Sequence, residues 1–180
     1  MNDIMIDIET LGTNPNSCIL TIGAIKFNRN KDIGDLKDCE RFYIRIDQKS
    51  CENLGMEVNN DTLEWWKNQN PQSRYEALDN MKNRIDIKDG LLELKKFIKD
   101  SKYIWANSPN FDCVILENAY KKCNLEVPWK FWNLRDCRTV YDIGNTNLKS
   151  FVKETIHHSL IDCYNQILCL QKAFKNIFST

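Results

Sequence analysis

Apolar and polar residues alternate along 3–9, DIMIDIE, so that Ile4, Ile6 and Ile8 share one face and Asp7 and Glu9 the other. That pattern predicts a strand whose isoleucines supply core. A turn, Gly12-Thr13-Asn14-Pro15, follows. Residues 18–27, CILTIGAIKF, predict a second strand and residues 41–47, RFYIRID, a third, with 28–31 in the turn between them. The stretch 48–88 is the least regular. Within it, Asn60-Asp61 caps a helix through TLEWWKNQ that Pro71 ends, and a second helix covers Ser73 to Met81. In 90–99, GLLELKKFIK, the positions of Leu91, Leu92, Leu94, Phe97 and Ile98 fit an amphipathic helix.

Residues 102–106, KYIWA, predict a fourth strand, and a polar turn holds Asn107 to Asn110. A helix follows from Phe111 to Cys123, then a fifth strand over Trp132 to Asp136 and a short helix from Asn147 to Glu154. The last helix starts near Ser159, with Leu160, Tyr164, Ile167, Leu168, Gln171 and Phe174 at helical spacing. Three leading strands on short turns predict an antiparallel meander, and the later strand–helix alternation predicts parallel additions. The expected fold class is α/β: a mixed five-stranded sheet with helices on both faces, as a single domain over residues 1–180.

Composition narrows the function classes. The chain has 180 residues, 42% hydrophobic and 28% charged, an ordinary balance for a globular domain. Its formal net charge is zero, which argues against a protein that coats long nucleic acid through many phosphate contacts. A basic run remains: Lys121, Lys122, Lys130, Arg135, Arg138, Lys149 and Lys153 stand against Glu126, Asp136 and Asp142. It is either a solvated surface or a strand-gripping face. Eight cysteines include no C-x-x-C pair, and the two histidines are adjacent. That spacing supports neither a structural zinc nor a disulfide framework, and the cysteines read as reduced, mostly buried and cytosolic. No signal peptide or membrane-length apolar run is visible, so the expected location is cytoplasmic.

The acidic residues carry the chemistry. Asp7 and Glu9 sit side by side at a strand end, where two like charges repel and burial raises the cost. A divalent cation bound by oxygen ligands would offset this; emergence into solvent is the plainer alternative. Asp112 lies in the first turn of its helix, where an acid also complements the helix dipole by about 0.3–1 kcal/mol. Asp162, three residues after Ser159, resembles a capping box. Each residue alone has that ordinary explanation. Together they form the set that hydrolysis of a phosphodiester by two cations about 4 Å apart requires, with a histidine tunable near neutral pH as proton acceptor.

At these residues the chain resembles the DEDDh 3′→5′ exonucleases, the proofreading-exonuclease group of the ribonuclease H-like fold. Asp7 and Glu9 match the family's D-x-E on the first strand, Phe111-Asp112 its helix-start aspartate, and His157-His158-Ser159-Leu160-Ile161-Asp162 its H-x-[AS]-L-x-D. The family's base lies five residues before the last aspartate, which picks His157 over His158; the related subtype has tyrosine where His158 stands. The segments ILTIGAIKF, TLEWW and WNLRDCRTVYD are similar to bacteriophage exonuclease A and the small exoribonuclease-like proteins grouped with it.

The resemblance implies two ions, Mg²⁺ or Mn²⁺, held by Asp7, Glu9, Asp112 and Asp162, with His157 as general base. It implies contacts from Thr10, Leu11 and Gly12 to the 3′-terminal nucleotide, with Leu11 wedged against the base or else packed in the core. Asn107 and Phe111 complete the expected substrate side; turn chemistry explains an asparagine at 107 equally well. The implied partner is the 3′ end of DNA or RNA, as a single strand or overhang, with DNA favoured by the phage-like segments, and a homodimer is compatible with the resemblance. Trp65 and Trp66 read as core before stacking platforms, Phe131 and Trp132 are open between the two, and Arg135 and Arg138 contact phosphate or pair with Asp136 or Asp142. Competing functions are a non-catalytic binding module on the same fold and an endonuclease, which the H-x-S-L-x-D motif disfavours.

Overall fold

The computed structural model describes residues 3–152 and 157–178. Its elements run β1 (Asp3–Thr10), β2 (Ile19–Phe27), β3 (Arg41–Ile46), α1 (Gln48–Asn53), α2 (Asn60–Lys67), α3 (Pro71–Arg74), β4 (Arg84–Ile85), α4 (Ile87–Ile98), β5 (Ile104–Ala106), α5 (Asp112–Lys122), β6 (Leu134–Asp136), α6 (Cys137–Ile143) and α7 (Ser159–Phe178). Short 3₁₀ turns and one π-turn, Tyr75–Asp79, fill the gaps.

Among the described residues the sheet has six strands rather than five, in the order β4-β3-β2-β1-β5-β6. The first three pair antiparallel, and β5 and β6 add parallel to β1. The extra strand, β4, is two residues long and pairs parallel with the end of β3. Two residues are too few to show an alternating pattern, so only pairing reveals it. The irregular stretch also contains α1, capped by the Asp47 side chain on Ser50 N–H. Pro71 opens α3 instead of ending α2, a first-turn position where its missing N–H costs nothing. A further helix, α6, follows β6 directly, capped by Asp136, whose carboxylate accepts from the N–H groups of Arg138 and Thr139. The helix expected over 147–154 is a 3₁₀ turn at Leu148–Ser150, and residues 153–154 lie outside the described residues.

The alternation along β1 divides the core. Ile4, Ile6 and Ile8 pack with Leu91 and Leu94 of α4, Leu116 of α5 and Trp66 of α2 on one face. Met5 joins Cys163, Ile167 and Leu170 of α7 and Cys137 of α6 on the other. Helices therefore cover both faces. Asp7 and Glu9 continue the Met5 face, at the end of β1 where α7 begins.

How close α7 comes is set by Gly23. This residue lies opposite Asp7 in the β1–β2 register, and a Cβ on it would stand 2.4 Å from the Ser159 carbonyl carbon and 2.5 Å from Leu160 N. Only a residue without a side chain lets the start of α7 rest on the strand. The Thr21 and Ser159 hydroxyls hydrogen-bond at 3.0 Å beside this contact. Gly23→Ala is expected to destabilise the protein by roughly 1–3 kcal/mol, read as a lower urea midpoint at unchanged slope. An unchanged midpoint would show that the helix start is free to move.

Candidate active site

Three elements meet at the end of β1. Asp7 and Glu9 come from β1, Asp112 from the first residue of α5, and Asp162 from the first turn of α7. Carboxylate oxygens of Asp7, Glu9 and Asp162 all lie within 4.8 Å of one another. Glu9 and Asp112 are buried, and Asp7 and Asp162 half-buried.

Three of the four carboxylates are held by hydrogen bonds. Asp112 Oδ1 accepts the Ile8 N–H at 3.1 Å, satisfying a β1 backbone group where the pairing with β5 has ended. Asp162 Oδ2 accepts the N–H groups of His157 and His158, both at 3.0 Å. Asp7 Oδ1 accepts from the Gln166 amide at 2.8 Å. No lysine or arginine forms an ion pair with any of the four among the described residues.

This crowding shifts the acids. Burial, and then the charges of Asp112, Asp162 and Glu9, push Asp7 well above the ordinary carboxylate range. Burial and the charges of Asp162 and Asp112 do the same to Glu9. Burial raises Asp112 to about 7 and Asp162 to about 6, against the backbone N–H groups that lower both. The Arg138 charge also lowers Asp112, but without an ion pair to any of the four; buried acids so placed, on rigid elements, suit hard divalent cations with oxygen ligands. The buried, unpartnered Gln166 oxygen beside Asp7 is one more acceptor at the same place.

The four acids line a cleft of about 640 Å³. Thr10, Gly12, Asn107, Phe111 and His157 line it too, so these expected residues converge on one cavity. Leu11 does not. It is fully buried in the core beneath, the packing half of the expectation. The two histidines diverge. His157 faces the cleft, its ring edge-on to Trp65 at 4.7 Å, while His158 stacks on Tyr43 of β3 at 4.6 Å. His157 has a φ of 70°, a left-handed conformation rare outside glycine. Burial lowers its imidazole pKa, which favours the neutral, proton-accepting form.

The tryptophans also diverge. Trp66 is buried, with its indole N–H donating to the Thr10 carbonyl at 3.0 Å, as core expects. Trp65 departs from the core reading: it is 42% exposed at the cleft wall, because adjacent helical residues point about 100° apart. Phe131 and Trp132 are exposed. Arg138 lines the cleft, whereas Arg135 lies over the Tyr103 ring at 4.1 Å; neither pairs with Asp136 or Asp142 among the described residues. Gln166 escaped the sequence reading, since a glutamine one turn after Asp162 carries no signal until the helix is docked on β1. All eight cysteines are free thiols, seven of them buried. No described helix is long and apolar enough to cross a membrane.

The arrangement matches known proteins over nearly its whole length. Residues 2–174 match the model of the 3′-5′ exoribonuclease Rv2179c-like domain. An exodeoxyribonuclease of Enterobacteria phage T4 is 27% identical over 207 aligned residues, covering 97% of this chain and 90% of the phage protein. Among solved structures, E. coli exonuclease I bound to single-stranded DNA superposes with a TM-score of 0.67 at 17% identity over 99% of this chain. Exonuclease I of Methylocaldum szegediense gives 0.67 at 11% identity, again over 99%. The chain spans 41% of the length of each of these exonuclease I chains, and the likeness identifies the shared ribonuclease H-like fold. With its whole sheet and all four acid-bearing segments inside the matched range, the chain belongs to the 3′-5′ exoribonuclease Rv2179c-like domain family.

Proposed function

We propose that this chain removes nucleotides one at a time from the 3′ end of a single nucleic-acid strand, DNA or RNA, by metal-dependent hydrolysis. One observation carries the reading: carboxylate oxygens of Asp7, Glu9 and Asp162 gather within 4.8 Å in the cleft that also holds His157. Asp7, Glu9, Asp112 and Asp162 hold the divalent cations, Mg²⁺ or Mn²⁺. Cations there supply Lewis-acid stabilisation of the charge that builds on the phosphoryl oxygens.

The chain's own groups do the rest. The 3′-terminal nucleotide enters along Thr10 and Gly12, with Asn107 and Phe111 opposite. Trp65 offers a face to its base and Arg138 a charge to a phosphate. His157, neutral at pH 7, takes a proton from water as the water oxygen bonds to phosphorus. The bond from phosphorus to the 3′ oxygen of the preceding nucleotide then breaks. A nucleoside 5′-monophosphate leaves, and the shortened strand regains a 3′ hydroxyl. The family and the exonuclease I structures with single-stranded DNA support this course.

The test uses matched DNA and RNA strands labelled at the 3′ end, with Mg²⁺ or Mn²⁺. The expected products are 5′-mononucleotides, and a blocked 3′ end stops their release. Strand binding without any product under saturating Mn²⁺ would make the protein a binding module instead. Cleavage that ignores the 3′ block would make it an endonuclease.

A further inference from the structure

Behind the cleft, a second polar cluster touches the segment that carries His157. Glu76, on the π-turn, accepts from the Tyr43 hydroxyl at 2.8 Å and from the Arg45 guanidinium, all on one carboxylate oxygen. The same oxygen lies 4.0 Å from His158 Nε2. The His158 ring stacks on Tyr43 with an interplanar angle of 25°. The side chains of Glu76, Arg45 and His158 are 14%, 18% and 19% exposed, so the cluster is largely dry. Arg84 ties the π-turn to the sheet by donating to the carbonyls of Ala77, Leu78 and Ile46.

His157 precedes this anchor by one residue and bears the strained backbone. A left-handed non-glycine residue is strained and persists only when its surroundings over-determine it. Two restraints are present. Asp162 accepts both histidine N–H groups, and the His158 ring is fixed on Tyr43 beside Glu76. With the second fixed, the His158 ring stays on β3 while left-handed His157 places its imidazole at the cleft. We propose that Glu76, acting with Tyr43 and Arg45 through the ring of His158, is a positioning residue that aims His157 at the substrate. The inference rests on the exonuclease reading of the cleft. Glu76 touches none of the four acids in the hydrogen-bond network, so its effect is separable from cation binding.

Glu76→Ala is expected to lower kcat roughly ten- to hundredfold, with KM and Mn²⁺ affinity by calorimetry held within about threefold, as displacement of an acid–base group does. Glu76→Gln keeps an oxygen acceptor for Tyr43 and Arg45 and restores most of the rate. In a His157→Ala background, Glu76→Ala costs less than about twofold more, because the group it positions is gone. Tyr43→Phe, which removes one hydroxyl and keeps the stacked ring, replaces Glu76→Ala in both backgrounds if that variant fails to fold. Losses that multiply in the double variant, a full rate in the single one, or a shift confined to KM or Mn²⁺ affinity would overturn the proposal. A wild-type protein with no nuclease activity would overturn the exonuclease reading alone. The ¹⁵N imidazole resonances of His157 then carry the test: they move in Glu76→Ala if the cluster positions the ring, and unmoved resonances refute it.

Discussion

Asp7→Asn is expected to abolish nucleotide release and, in EDTA, to raise the melting temperature. The two effects share one cause. Asp7 is crowded by Glu9, Asp112 and Asp162 and held well above its ordinary pKa by burial and their charges. A carboxylate whose folded pKa exceeds its unfolded value binds its proton more tightly when folded. Its stabilising contribution is complete below the unfolded value, about pH 4. That contribution is lost as pH rises through the folded values, which lie at about 6 for Asp162 and about 7 for Asp112. The metal-free protein therefore melts at a lower temperature at pH 8 than at pH 5. Asparagine keeps the oxygen that accepts from Gln166 and removes one charge from the repelling set.

The expected gain at pH 8 in EDTA is on the order of 1–3 kcal/mol, or roughly 2–10 °C. Mn²⁺ reverses the order, because a ligand that binds only the folded state stabilises in proportion to its affinity, and the variant has lost a ligand. Activity falls by at least about a thousandfold with the loss of cation-based charge stabilisation. Thermal melts at two pH values, with and without Mn²⁺, read all of this. A variant that melts lower than wild type in EDTA at pH 8 would show that the four acids are not in mutual repulsion.

His157→Ala is the second. Loss of a positioned proton acceptor lowers kcat by about 10²- to 10⁴-fold. Mn²⁺ affinity is unchanged, since the His157 contact to Asp162 is made by its backbone N–H. The pH profile separates the roles. Burial lowers the His157 pKa from its ordinary 6.5, so at saturating cation the wild-type rate falls with acid only below that value. The variant lacks this limb. At limiting cation the fall begins nearer pH 7, because protons compete with cations for Asp112 and Asp162. A variant with wild-type kcat would remove His157 from the reaction.

Much of the site is written in local spacing. Alternation along DIMIDIE sends three isoleucines to one face and Asp7 and Glu9 to the other, and the pleat enforces this wherever the strand is placed. Asp112 and Asp162 each fall in the first turn of a helix, and the polar turn before Asp112 and the helical spacing after Ser159 mark those starts. The sheet has a sixth strand because two residues show no alternation, and α1 and α6 begin within a residue of the strand before them, so periodicity separates neither.

Periodicity reports which way a side chain points from its own backbone. It carries no distance between elements more than a hundred residues apart. That distance was decided by Gly23, which lets α7 settle on β2 so that Asp162 reaches Asp7. The division of labour between His157 and His158 was decided by one left-handed residue and the Tyr43 ring. Trp65 on the cleft wall with Trp66 beneath it, Leu11 in the core and Gln166 against Asp7 likewise depend on docking. Burial and hydrogen bonds across elements exist only once the elements have met, so the sequence by itself determined the faces and the tertiary structure decided the meeting.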